Sequence, residues 1–184
     1  YKNFKYVAQE MVDKPLVIRT LDIGMDKQLS GTQTNNEDNP ALGLRGIRLS
    51  LAKPNIFFSQ LKGILRASFY GDVKILYPMI SSVTEIIQAN ELLQKAKDTL
   101  KNEQIPFDEN IEIGAMIETP AAAICIDHIL DHVNFISIGS NDLIQYLLAI
   151  DRVNENVAHL YQPFHPSVIR SLKQVFDAAN KEGK

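Results

Sequence analysis

The sequence predicts an α/β chain built on about four parallel strands, read as part of a (β/α)8 TIM barrel. Three observations predict it. Short apolar runs rich in β-branched residues alternate with amphipathic stretches, in the order strand, helix, strand, helix. The runs are continuous in polarity, as strands covered on both faces are. Finally, Arg19, Asp22, Glu118, Asn141 and Asp142 fall at or just after the C-terminal ends of different runs. A barrel builds its active site from the ends of several strands, whereas an open doubly wound sheet binds at one switch point. That distinction favours the barrel only weakly. Four strands are too few to close eight, so the expectation is a piece of one.

The elements follow in order. Residues 1–13 carry Phe4, Val7, Ala8 and Met11 on one helical face, and Pro15 breaks the pattern. Leu16, Val17 and Ile18 begin a strand expected to run to about Ile23. Residues 28–40, QLSGTQTNNEDNP, are polar and turn-forming, a long loop of the kind that often carries function. A short helix is expected over 43–52. The next opens at Pro54 with Ile56, Gln60, Leu61, Ile64 and Leu65 inward. Val73 to Met79 reads as the second strand. Ser82 and Glu85 form a capping box before a long helix whose face is Ile86, Ala89, Leu93, Ala96 and Leu100. After a turn over 105–110, Ile111 to Ile117 is the third strand, ended by Glu118. Thr119 caps and Pro120 opens a helix through about Leu130. Val133 to Gly139 is the fourth strand. Leu143, Tyr146, Leu147 and Ile150 then recur at helical spacing, and a last helix runs from Pro166 to about Lys181. No repeat or linker divides residues 1–184, which read as one domain fragment.

Composition sets the bounds. A chain of 184 residues with 45% hydrophobic and 22% charged content has the make-up of a soluble globular domain. A net charge of -3 gives no footing for nucleic acid. No apolar run reaches the length of a membrane span, so no membrane insertion is expected. A single cysteine forms no internal disulfide and fits a reducing cytoplasm. Tyr1 is not an initiating methionine, and a chain taken from something longer is expected.

The stretch from Phe135 to Arg152, FISIGSNDLIQYLLAIDR, carries the most chemistry. Asn141 and Asp142 sit where a strand hands over to a helix. Unpaired backbone N–H groups and the helix dipole there favour an anion. A bare carboxylate would repel phosphate, so Asp142 makes chemical sense if a divalent cation lies between them.

Each charged residue also has an unremarkable role open to it. Glu118 suits a solvated turn, and Asp142 simply favours a helix N-terminus. Arg45 and Arg48, three apart on one helix face, suit a solvated or salt-bridged pair. Arg152 suits the end of a helix. His128 and His132 have metal-ligand spacing but nothing to complete a site, so they read as helix-surface residues. Cys125, between Ile124 and Ile126, reads as core. His159 and His165 are assigned no role.

The combination is more specific than its parts. VIRTLDIGMDK, NPALGLRGIRL, LYPMISSVTE, IGAMIETPAAA and SIGSNDLIQYLLAIDR occur in this order along essentially the whole chain. Together they closely resemble the phosphoenolpyruvate-binding barrel of the phosphoenolpyruvate–protein phosphotransferase family, enzyme I of the bacterial sugar phosphotransferase system. Pyruvate phosphate dikinases and phosphoenolpyruvate synthases are more distant members of the same group. A nitrogen-regulatory paralogue of enzyme I is nearer and stays open. So do a magnesium-dependent lyase or aldolase on a related barrel and a non-catalytic dimerisation module.

The resemblance implies strands two to five of the barrel and a set of roles. Glu118 and Asp142 match the family's magnesium ligands, and two carboxylates completed by substrate oxygens and water suit Mg2+. Arg19, Arg45, Asn141, Asp142 and Arg152 match residues that bind phosphoenolpyruvate. Guanidinium forks grip phosphate and carboxylate in paired geometry. The family passes the phosphoryl group to a histidine on a separate domain and on to a small histidine carrier protein, for sugar uptake in the cytoplasm. That histidine, a strand-end arginine of a GLYRTE-like motif and the proton-donating cysteine of an MCGE-like motif are expected outside residues 1–184. No catalytic residue is therefore expected here, and Cys125 stands in the wrong place to replace the cysteine. Met25 occupies the second glycine position of the family's DIGGDK, where a side chain brings strain if φ is positive. Open strand edges predict self-association, with a homodimer expected.

Overall fold

A computed structural model describes residues 1–12, 14–23 and 38–184. Most of the polar loop and the Met25 position lie outside the described residues. The elements are α1 (Lys2–Glu10), β1 (Leu16–Arg19), α2 (Gly46–Ala52), α3 (Pro54–Ser68), β2 (Val73–Tyr77), α4 (Val83–Asn102), β3 (Ile113–Ile117), α5 (Pro120–Ile124), α6 (Ile126–Leu130), β4 (Phe135–Ile138), α7 (Ser140–Leu148) and α8 (Pro166–Glu182). A 3-10 turn, Ala158–Leu160, precedes α8.

The strands form one parallel sheet in the order β1-β2-β3-β4. Neighbours in sequence are neighbours in space throughout. A doubly wound sheet reverses its order at the switch point; this one walks in one direction, as a barrel does. It is a partial (β/α)8 barrel, with β1 and β4 as edges. Accordingly Val17 of β1 is 44% exposed, whereas Val73, Ile75 and Tyr77 of β2 are at most 1% exposed.

The helices cover the sheet through the faces their spacing dictates. All five apolar positions expected of α4 are buried, and Ser82 with Glu85 forms the capping box. Pro54 begins α3, which buries Phe57, Leu61, Ile64 and Leu65 while Ile56 turns outward at 46% exposure. The Phe57 ring meets Tyr77 edge-on at 6.1 Å, and the buried Tyr77 hydroxyl donates to Asn90 Oδ1 at 3.2 Å. Each buried Leu or Phe contributes about 1.5–3 kcal/mol relative to exposure.

Several boundaries differ from the sequence expectation. The first strand ends at Arg19, although the Thr20 N–H still reaches Leu76 O at 2.9 Å. The second strand ends at Tyr77, because Met79 has φ 57 and cannot continue it. The expected helix over 120–130 breaks in two at Cys125 (φ -100, ψ 30). That break puts Cys125 on the exposed side, correcting the core assignment. Arg45 and Arg48 do not share a helix face: Arg45 is extended and precedes α2 as its N-cap. His165 has a structural role the sequence did not assign, since its Nδ1 caps α8 by accepting from the Ser167 N–H at 3.2 Å. His128 and His132 are exposed, as expected. No described helix is long and apolar enough to cross a membrane.

Candidate functional site

The site lies at the C-terminal ends of the four strands. Arg19 closes β1, and Asp22 follows three residues later. Glu118 follows β3, and Gly139 joins β4 to α7 with Asn141 and Asp142 in its first turn. Arg45 stands before α2, and Arg152 lies beyond the left-handed Ala149 that ends α7. The positive end of α7 thus sits under Asn141 and Asp142.

Glu118 is only 1% exposed. Its Oε1 accepts from the Met79 N–H at 2.6 Å. Next to it, Thr119 Oγ1 donates to Ile80 O at 2.7 Å and accepts from Ala122 N–H at 3.1 Å, which locks the end of β3 against the end of β2. Burial pushes the Glu118 carboxyl up to about 7. The charges of Asp142 and Asp22 push the same way, while the Met79 hydrogen bond and Arg19 oppose them.

Two glycines permit the close packing. A Cβ on Gly139 would stand 2.4 Å from Glu118 Oε2, and one on Gly46 would stand 2.7 Å from Met79 Cβ. Gly46 also holds φ 55, a conformation costly for other residues. The ends of β2, β3 and β4 and the start of α2 therefore approach one another through Gly46, Met79, Glu118 and Gly139.

Asp22 and Asp142 organise the arginines. Arg45 donates from Nε to Asp22 Oδ1 at 3.2 Å, and from Nη2 to Oδ1 at 3.1 Å and Oδ2 at 3.0 Å. Its Nη2 also reaches Asp142 Oδ2 at 3.4 Å, and its Nη1 donates to the Tyr146 hydroxyl at 3.4 Å. Tyr146 in turn donates to Ala41 O. Arg19 Nη1 donates to Asp22 Oδ2 at 3.1 Å. Arg152 Nη2 lies 3.3 Å from Asp142 Oδ1. That approach lacks hydrogen-bond geometry, and no donor among the described residues satisfies this buried oxygen. Asn141 Oδ1 accepts from the Tyr161 hydroxyl at 3.2 Å.

All six sequence-singled residues come together here. A cavity of about 270 Å³ is lined by Arg19, Glu118, Gly139, Asn141, Asp142 and Arg152. A second, of about 230 Å³, shares Asp142 and Arg152 and adds Asp22 and Arg45. Sequence reasoning missed Tyr146, Tyr161 and Gln145, whose Oε1 accepts from the Arg152 N–H at 3.4 Å. It noted Asp22 only as one more polar residue at a strand end. No sequence signal marks Tyr161, which lies twenty residues from its partner in a loop.

Among the described residues no three His, Cys, Asp or Glu side chains cluster as a complete metal cage. The pair that is present fits a hard cation otherwise. Asp142 Oδ1 is buried with no hydrogen-bond donor among the described residues, and the charges of Asp142 and Asp22 bear on Glu118. Two carboxylates suffice where substrate oxygens and water complete the shell.

The chain belongs to the PEP-utilising enzymes: over residues 1–184 it matches the family described as PEP-utilising enzyme, PEP-binding domain. Within that group it is similar to phosphoenolpyruvate-protein phosphotransferases. It is 50% identical over 184 residues to the one from Buchnera aphidicola subsp. Schizaphis graminum, covering 100% of this chain and 32% of that one. It is 48% identical over 181 residues to that of Geobacillus stearothermophilus (98% and 31%) and 48% over 184 to that of Staphylococcus aureus (100% and 32%). The chain thus spans about a third of the length of these curated relatives. Among solved structures, a citrate lyase from Burkholderia xenovorans LB400 aligns with TM-score 0.54 at 15% identity, covering 100% of this chain and 48% of that one. That likeness is one of fold.

Proposed function

We propose that this chain is the magnesium-dependent phosphoenolpyruvate-binding part of a phosphoenolpyruvate–protein phosphotransferase. The observation that carries the reading is one cluster at the C-terminal ends of the strands: Arg19, Arg45 and Arg152 around Glu118 and Asp142. The 48–50% identity to enzymes of that name supports it.

The residues divide the work. Arg19, Arg45 and Arg152 grip the phosphoryl and carboxylate oxygens through charge-assisted hydrogen bonds. Asn141 offers its side-chain amide and its backbone N–H at the start of α7, where an anion is favoured. Glu118 and Asp142 would hold Mg2+, which when bound would supply positive charge to the substrate oxygens over which phosphoryl transfer spreads charge. Glu118 and Asp142 are buried and held by the packing around them, so little reorganisation of these two carboxylates is needed as charge develops.

The parent enzyme then moves the phosphoryl group to a histidine on another domain and on to a histidine carrier protein, releasing pyruvate and driving sugar uptake in the cytoplasm. By the resemblance, the acceptor histidine and the proton-donating cysteine belong to segments beyond residues 1–184. The chain alone is therefore expected to bind without turnover.

Calorimetric titration of phosphoenolpyruvate into this chain, with magnesium and then with a chelator, tests the proposal. Saturable binding that needs magnesium supports it. Equal binding in chelator removes the metal role of Glu118 and Asp142, and no binding in either condition overturns the reading for this chain.

A further inference from the structure

We infer that Asp22 is a positioning residue: its buried carboxylate holds Arg45 and Arg19 in a fixed orientation, so that a phosphoryl group meets both guanidiniums already set. The inference rests on the function proposed above and concerns a residue to which that proposal gives no part.

The geometry carries it. The Asp22 side chain is 3% exposed, whereas that of Arg19 is 47% exposed. Asp22 meets Arg45 side-on, taking the Nε and Nη2 edge of the fork with both its oxygens, and spends Oδ2 again on Arg19. It is the one hydrogen-bond or ion-pair partner Arg19 has among the described residues. On Arg45, a guanidinium has five N–H donors. Asp22 occupies one edge and the Tyr146 hydroxyl takes a donor of Nη1. What is left faces Asp142 and the cavity that Arg45 and Arg152 line. A long side chain held this way loses little further freedom when a ligand arrives, which is how preorganisation raises affinity.

The opposite reading is that the Asp22 charge merely competes with the phosphoryl anion for the same arginines. The two readings differ in sign. Asp22→Asn keeps the shape and one acceptor oxygen but removes the charge and the strong paired grip. If Asp22 positions the arginines, phosphoenolpyruvate binds this variant on the order of 10-fold more weakly in the presence of magnesium. If it competes, binding is unchanged or tighter, and the inference is overturned. Asp22→Glu separates position from charge. It restores the charge but displaces the fork, so a positioning role predicts weaker binding here too. Wild-type affinity in the Glu variant overturns that role.

A ligand-free readout accompanies the titration. In a proton–nitrogen spectrum of the wild type, the Arg45 Nε–H is expected as a separate, slowly exchanging signal, averaged with solvent in Asp22→Asn. Thermal melting shows whether each variant is folded. Absence of phosphoenolpyruvate binding by the wild type overturns the proposed function instead. Asp22 is then judged on the Arg45 signal alone, and identical exchange in wild type and variant overturns its hold.

Discussion

The Glu118 carboxylate accepts a 2.6 Å hydrogen bond from the backbone N–H of Met79, a residue at φ 57. A side chain from the end of one strand is thus held by a strained peptide at the end of its neighbour. The bond favours the ionised carboxylate, but burial opposes it more strongly, and the group is raised from 4.5 to about 7.

Stability should follow that shift. Because the folded-state value lies above the unfolded one, the folded chain holds the Glu118 proton more tightly. Its contribution to stability is full below about pH 4.5 and is lost as pH rises through about 7. At about 1.4 kcal/mol per unit, the loss is on the order of 3 kcal/mol. Glu118→Gln cannot ionise and keeps an acceptor for Met79. Urea unfolding between pH 4.5 and 8 should show a flatter profile in the variant, and parallel profiles would assign the proton elsewhere.

Gly139 is required by space, since its φ of -87 is open to any residue. Gly139→Ala places a Cβ against Glu118 Oε2 and Cβ. The expected result is a stability loss of about 1–3 kcal/mol. Magnesium-dependent phosphoenolpyruvate binding should fall at least ~10-fold through the displaced carboxylate. Calorimetry and chemical unfolding of one sample check both.

Tyr161 occupies the Asn141 carbonyl oxygen and leaves the amide hydrogens for an anion. Tyr161→Phe should weaken phosphoenolpyruvate by roughly 3–10-fold, the size of one neutral hydrogen bond. The hydrogen bond is exposed to solvent, which predicts a stability change within about 0.5 kcal/mol. Full affinity in the variant would show that Asn141 orients itself.

The core makes a separate demand. Leu61 is 0% exposed in α3, and Leu61→Ala should cost about 2–5 kcal/mol, depending on how far the site collapses. Equilibrium unfolding measures this directly.

Among the described residues β1 and β4 each pair with one strand only, and a strand with an open side is a template for pairing. The chain is expected to self-associate at micromolar concentration. Sedimentation velocity across a dilution series should show the average mass falling on dilution. A constant monomer mass would mean that the edges are covered.

Local pattern read well where the cause is local. The capping box of α4, its five-residue face and the Thr119 cap all rest on contacts within one turn or one helix face, and all are present. Cys125 was misread because its flanks are apolar. The helix breaks at that very residue, and only packing against α8 decides which side of the break faces inward. Arg45 was misread as a helix-face residue because nothing in GLRGIR reveals that Gly46 takes φ 55 and that the helix starts there, three residues later than expected.

By itself, the sequence determined the alternation of strands and helices, the parallel sheet and the strand-end residues, because a repeating polarity and a capping residue act over a few positions. Only the tertiary structure decided that the strands run β1 to β4 without reversal, that Arg45 reaches across to Asp22 and Asp142, and that Glu118 is buried enough to hold a proton near neutrality. Pairs such as Arg45 and Asp142 stand 97 residues apart. Burial and charge at such a junction depend on every element that meets there, so no single stretch of the chain carries them.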